Sequence, residues 1–277
     1  MTPIKAAIQL SKVWRALCGD GSPYPVDCRL LAEALNIMVY SEPIDDKFEA
    51  MLNIRGKQRV IIYNESIRQE GRKNFCISHE LGHHSCHSER DEFRCSMKDL
   101  NDMAPHPENI EQEANLFAAN LLMPADDFRA QVSDKPVSLA YLGELAEERY
   151  NTTLTATCNR LINLSPRSAF GMVVVKGDEV AWWARTEEMR FTGFSFRSRQ
   201  KVSKAGLTHN PNCEPIESDI WLNEKNAPRW SLKQSAIYMP YYDQTLVLLE
   251  AQRGEGSEYW KEFDEPDPTP PRIPSFK

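Results

Sequence analysis

Between positions 79 and 87 the chain reads His79-Glu80-Leu81-Gly82-His83-His84-Ser85-Cys86-His87, a stretch that holds four of its six histidines. At about 3.6 residues per helical turn, side chains four apart lie about 40° from alignment, so His79 and His83 can present both imidazoles to one ion. Glu80 falls about 100° round from His79, beside such an ion, where a base must sit to take a proton from a metal-held water. Zinc lowers the pKa of that water to about 7 and makes hydroxide available at neutral pH. The same spacing occurs by chance on wet helices, but Phe75, Cys76 and Ile77 ahead of it are apolar and predict a buried one. His87 shares the metal face one turn further along and is expected to support the site or pack against it. His84 points away, and Cys86 reads as a small buried hydrophobe.

A catalytic zinc takes three protein ligands and keeps a fourth position open. A third histidine six residues beyond the second, after a glycine, is absent, because those places hold Glu89 and Cys86. A carboxylate from a later helix remains, with Glu108, Glu111 and Glu113 as candidates. Glu113 heads the apolar run Ala114–Met123, where an uncompensated carboxylate is costly to bury, and a metal would explain its place. Periodicity does not choose between Glu113 and Glu111. Cys95, in the polar stretch between the two ligand-bearing segments, is either an ordinary loop cysteine or an inhibitory ligand whose thiolate fills zinc's open position.

Helical periodicity over Arg72–Cys86 and Glu111–Met123, the second stopped by Pro124, predicts the two helices that must hold these groups. Before them stand an amphipathic helix from Ile4 to Leu17, with Ile4, Ile8, Val13, Trp14 and Leu17 as its apolar residues, a short helix Val26–Leu35, and strands Ile37–Tyr40, Phe48–Ile54 and Arg59–Tyr63. Ser88–Asn109 is polar, carries Pro105 and Pro107, and reads as a long loop. Ser138–Tyr150 and Leu154–Leu164 are helices around the Asn151–Thr153 turn, and Phe170–Val175 with Val180–Ala184 forms a hairpin. Ser235–Met239 and Thr245–Glu250 read as further strands, and the acidic, proline-rich stretch beyond Gly254 as a solvated tail.

Asn74-Phe75-Cys76-Ile77-Ser78-His79-Glu80-Leu81-Gly82-His83, followed by Glu111-Gln112-Glu113-Ala114-Asn115-Leu116-Phe117-Ala118-Ala119-Asn120-Leu121-Leu122-Met123-Pro124, resembles the ImmA/IrrE family of metallopeptidases. The likeness extends to the Pro25–Leu35 helix and to Leu139–Leu161, which is similar to the family's helix-turn-helix-like element. It implies zinc held by His79, His83 and Glu113, with Glu80 catalytic. It implies a substrate as well: a helix-turn-helix repressor, cut to derepress a stress, DNA-damage or phage-defence operon. The expected fold class is therefore α+β, with a zincin-like metallopeptidase domain over 1–130, a helix-turn-helix-like helical unit over 131–165, a C-terminal α/β, GAF-like sensor domain over 166–253, and the tail 254–277.

The would-be recognition helix Leu154–Leu161 has one basic residue, Arg160, which argues against a DNA-binding factor and for a structural or repressor-docking role. Arg190–Lys204 interleaves basic and aromatic residues, which suits single-stranded DNA as an activator held by Arg190, Arg197, Arg199 and Lys201. The plainer reading, favoured by Phe194 and Phe196 sharing a face, is a strand with its rings turned inward. A non-enzymatic regulator, stabilised by its metal and binding a repressor or DNA, is the alternative to the peptidase. A chain of 277 residues with a net charge of -7 is not an indiscriminate nucleic-acid binder. Its seven cysteines include no C-x-x-C pair and suit reduced thiols. With no apolar stretch of membrane-span length and no signal-peptide pattern, the expected compartment is the cytoplasm.

Overall fold

Pro3 in the first turn opens helix α1 (Pro3–Cys18), which buries Ala6, Ala7, Leu10 and Trp14. The expected apolar face was partly wrong: Ile4, Ile8, Val13 and Leu17 are exposed, because small Ala6 and Ala7 let the helix lie close on its neighbours. Helix α2 (Cys28–Ala34) is capped by Asp27, whose carboxylate accepts from the Arg29 and Leu30 amides. Strands β1 (Met38–Glu42), β2 (Phe48–Arg55), β3 (Gln58–Asn64) and β4 (Glu92–Ser96) form a sheet in the order β1-β3-β2-β4, with only β1 and β3 parallel. Gly56, at φ 58°, makes the turn between β2 and β3. The structure, a computed structural model, describes residues 1–45, 48–87, 92–96 (backbone alone), 110–133, 135–165, 168–197 and 199–253.

Strand β4 corrects the expectation of a continuous loop over 88–109. Its Glu-Phe-Arg-Cys-Ser alternation supplies a ladder to the outer edge of β2, a pairing that the polar composition around it conceals. Leu52, Ile54, Ile61 and Tyr63 turn to one face of this sheet, where helix α3 (Glu70–Cys86) packs. Helix α4 (Ile110–Leu122) lies along α3, and α1 rests on both.

The helical unit that follows comprises α5 (Ala125–Val132), α6 (Leu139–Glu144), which runs on through a π turn over Leu145–Arg149, and α7 (Leu154–Leu164). Ser138 and Thr153 cap α6 and α7. Asp127 on α5 accepts from the Arg149 guanidinium and the Tyr150 hydroxyl, closing the unit on itself. Asn74 on α3 ties it to the rest, donating to the carbonyls of Val26 and Asn151 and accepting from the Cys28 amide.

Strands β5 (Ala169–Lys176), β6 (Glu179–Arg185), β7 (Asn210–Ile216), β8 (Trp230–Met239) and β9 (Gln244–Arg253) make an antiparallel sheet in the order β6-β5-β9-β8-β7. The central strands β5 and β9 are apolar on both faces. Phe170, Met172, Val174, Leu246 and Leu248 join the cluster built by α1, α3, α4, α6 and α7. Val173, Val175, Val247 and Leu249 meet Met189 of the short α8 (Glu187–Arg190), Phe194, Trp221 and Leu222. The segments 1–130, 131–165 and 166–253 therefore share a core, and 254–277 lies outside the described residues. Among the described residues no helix is long and apolar enough to cross a membrane. Cys28, Cys76 and Cys158 are free and buried, and burial pushes each thiol pKa up.

Gly71, in the first turn of α3, is where the turn before α7 comes closest. A Cβ there would stand 2.4 Å from the Thr152 carbonyl oxygen, a backbone atom that cannot rotate away. Gly71→Ala should therefore destabilise the protein by about 1–3 kcal/mol through overpacking, despite a helix-propensity gain of about 1 kcal/mol. Urea denaturation followed by circular dichroism checks this, and a midpoint at or above wild type would contradict the packing.

Candidate metal centre

Helix α3 buries its central face completely, and His79, Glu80 and His83 are each 0% exposed. The Nε2 atoms of His79 and His83 stand 3.0 Å apart. One oxygen of Glu111 lies 3.1 Å from the first and 3.2 Å from the second. Glu111 occupies the first turn of α4, where the helix dipole favours a negative charge. One turn on, Asn115 is 1% exposed, and its Oδ1 sits 2.9 Å from His79 Nδ1. That oxygen only accepts, so His79 carries its proton on Nδ1 and turns the Nε2 lone pair toward Glu111.

Two imidazole nitrogens and a carboxylate oxygen thus converge in one group. Acceptors do not crowd to 3.0–3.2 Å without a proton or cation among them, and these separations approach the ~3.3 Å expected between ligand atoms on a tetrahedral zinc. Two histidines, a glutamate and an adjoining buried carboxylate make a donor set that fits zinc. Burial works to raise the Glu111 pKa, but hydrogen bonds and charge from His79 and His83 outweigh it and hold the carboxyl well below the usual carboxylate range.

Glu113 is not the carboxylate placed here. It lies about 200° round α4 from Glu111, and its carboxylate meets His87 Nε2 at 2.9 Å. The expectation took Glu113 to be buried, whereas its side chain is 48% exposed and that of Glu111 only 19%. No metal is needed to explain a half-exposed carboxylate. His87 turns its Nδ1 to His83 Nδ1 at 3.2 Å. His84 stays out of the group, and burial followed by the nearby Arg59 charge lowers its pKa. Cys95 pairs through its backbone with Ala50, and its side chain lies outside what is described.

Other expected contacts face elsewhere. Arg160 is 5% exposed and donates to the Met123 carbonyl and to Asn120 Oδ1, securing the end of α4. Burial pulls its pKa down to about 10, so it stays charged at neutral pH but out of reach of a phosphate. Arg190–Lys204 is not the strand expected but a succession of turns beside β6, where Phe194 and Phe196 stack edge-on with Trp183 and Trp221 inside the sheet's core. Phe194 is thus unavailable to a base and Phe196 is part-buried, whereas Phe191 is exposed. Arg190 pairs with Glu187 and Lys201 with Asp178, while Arg197 and Arg199 are exposed.

Residues 32–161 match the peptidase M78 family, described as the IrrE N-terminal-like domain. The chain carries an ImmA/IrrE-family domain. No curated protein matches the chain significantly. Among solved structures, a Mycobacterium tuberculosis transcriptional regulator is similar over 90% of this chain and 76% of its own length, at 16% identity and a TM-score of 0.50. At that identity the likeness concerns the fold. The α+β core and the metallopeptidase-like character of residues 32–161 follow from the family.

Within this ImmA/IrrE-family domain the sequence reading overlooked Asn115, although an amide four residues after a candidate glutamate, inside an apolar run, calls for a buried partner. It also overlooked Gly82. A Cβ there would meet Ala114 Cα and Phe117 Cδ1 at 3.1 Å, so Gly82 sets how closely α4 approaches the histidines. Gly82→Val should cost about 1–3 kcal/mol and also spread the three ligand atoms. The metal stoichiometry of the folded variant should fall below that of wild type, and a Gly82→Val protein binding metal as wild type does would exclude this role.

Proposed function

We propose that this chain is a zinc-dependent endopeptidase that cleaves a helix-turn-helix transcriptional repressor, relieving repression of a stress, DNA-damage or phage-defence operon. The observation that carries the reading is the convergence of His79 and His83 of α3 with Glu111 of α4, next to a Glu80 that is itself fully buried. The resemblance to the ImmA/IrrE family supports the repressor as substrate. The core shared with the helix-turn-helix-like unit suits a body that docks a protein rather than one that reads DNA.

In this mechanism His79, His83 and Glu111 would hold a zinc ion, which when bound would supply Lewis acidity toward the scissile carbonyl and the attacking water. Glu80 takes the proton from that water as its oxygen adds to the carbonyl carbon. The same carboxyl then gives the proton to the amide nitrogen as the C–N bond breaks, leaving a carboxylate and an amine. Asn115 fixes the His79 ring and its tautomer. The apolar walls of α3 and α4 exclude bulk water from around Glu80, which keeps the proton exchange local.

The test mixes purified protein with the repressor encoded beside it, with and without zinc. A discrete cut of the repressor is expected, reduced at least about 10²–10⁴-fold in Glu80→Gln with zinc retained. Glu111→Ala should lose both zinc and cleavage, because it removes a ligand. A stable complex that is never cut, with zinc bound, would instead make the chain a regulator. Adding single-stranded DNA to the same reaction reads the activator proposal, and charge reversal at Arg197 and Arg199 should abolish any stimulation.

A further inference from the structure

Glu113 and His87 continue the line of ring nitrogens outward from the centre, and with His87 as a neutral ring their contacts set one order of protons along it. His87 Nε2 lies 2.9 Å from a Glu113 carboxylate oxygen, and His87 Nδ1 lies 3.2 Å from His83 Nδ1. A carboxylate only accepts, so His87 Nε2 must carry the proton. A neutral His87 then has a lone pair on Nδ1, so the proton between the two rings belongs to His83 Nδ1. His83 Nε2 is left with its lone pair facing His79 Nε2 and Glu111.

We propose that Glu113 and His87 are positioning residues for the metal centre, which set the tautomer and orientation of His83 through this relay. The inference rests on the zinc reading above. The two histidines of the centre are thereby ordered by different means. His79 is held by a buried neutral amide on α4, and His83 by a carboxylate from the same helix acting through a third ring. The charge at the far end of the relay also makes the His83 ring a better electron donor, as a carboxylate behind a ligand histidine does. The His83 and His87 ring centroids are 5.3 Å apart, consistent with a ladder of rings along α3. The plain alternative is a surface ion pair between His87 and Glu113, which adds little to folding and nothing to the centre.

Full-length protein stripped of metal is titrated with zinc against a chromophoric chelator, and the visible spectrum of the cobalt-loaded form is recorded. Glu113→Ala should weaken zinc binding about 10-fold or more, within the 10–100-fold range typical of losing such an outer partner. His87→Phe should lose at least as much. Glu113→Gln, which keeps an accepting oxygen without the charge, should recover part of the loss. The cobalt spectrum should shift in Glu113→Ala while the melting temperature of the metal-free protein stays at the wild-type value, which a merely structural ion pair would not produce. Should His87→Phe fail to fold, the Glu113 variants decide the matter alone. Wild-type zinc affinity and cobalt spectrum in Glu113→Ala overturn the relay and leave the centre standing. A wild-type protein that binds no zinc, or Glu111→Ala binding as wild type does, overturns the centre and the relay with it.

Discussion

Three acceptor atoms face one another inside a water-excluding core, and most of the surrounding structure serves to keep them there. The Nε2 atoms of two fully buried histidines and an oxygen of Glu111 repel each other electrostatically unless a proton or a cation lies among them. The fold therefore has to hold α3 and α4 at a fixed distance and angle. Gly82 lets α4 come close, Asn115 and Glu111 repeat at one-turn spacing toward the histidines, and Arg160 secures the far end of α4 through the Met123 carbonyl.

This division of labour accounts for the helical unit over 125–164. The only basic residue of α7, Arg160, is spent on the inside, so that helix offers no cation of its own to a phosphate. A buried guanidinium on carbonyl and amide oxygens is a rigid fixture, since moving it would strand both the charge and the helix-end carbonyl. The unit is better understood as a buttress. Asp127 with Arg149 and Tyr150 braces it internally, Asn74 ties it to α3, and the Gly71 contact leaves no slack between them.

How much of this was legible in the chain depended on whether the signal was local. The two helices that carry the candidate ligands, the β2–β3 hairpin and α7 were readable within a residue or two, because 3.6- and 2-residue periodicities and their capping residues are local. Strand β4 was not, since Glu92–Ser96 becomes a strand through the unpaired edge of β2, which lies far off in sequence. Strand β7 and the turns beside β6 are likewise fixed by neighbours. The exposed Ile4 and Ile8 misled for a similar reason: side-chain size suggested a face, while close approach selected the alanines. At the centre, His79, Glu80 and His83 follow from helix geometry alone, but Glu111 against Glu113 is a rotation about α4 that only its packing on α3 decides.

The same rotation explains why both glutamates matter. Two residues apart on a helix, they point to nearly opposite sides, so a single first turn can supply one carboxylate to Nε2 of His79 and His83 and another to the outer end of His87. Helix α3 meets this with its own repeat, His79, His83 and His87 at four-residue steps, whose ring centroids stand 4.7 Å and 5.3 Å apart. The inner carboxylate is placed where it neutralises charge at the centre. The outer one, half-exposed, settles where protons sit without adding a third carboxylate inside. Were both turned inward, the centre would hold Glu80, Glu111 and Glu113 together in a core that solvates none of them. Keeping Glu113 outside, linked through His87, leaves its influence and avoids that cost.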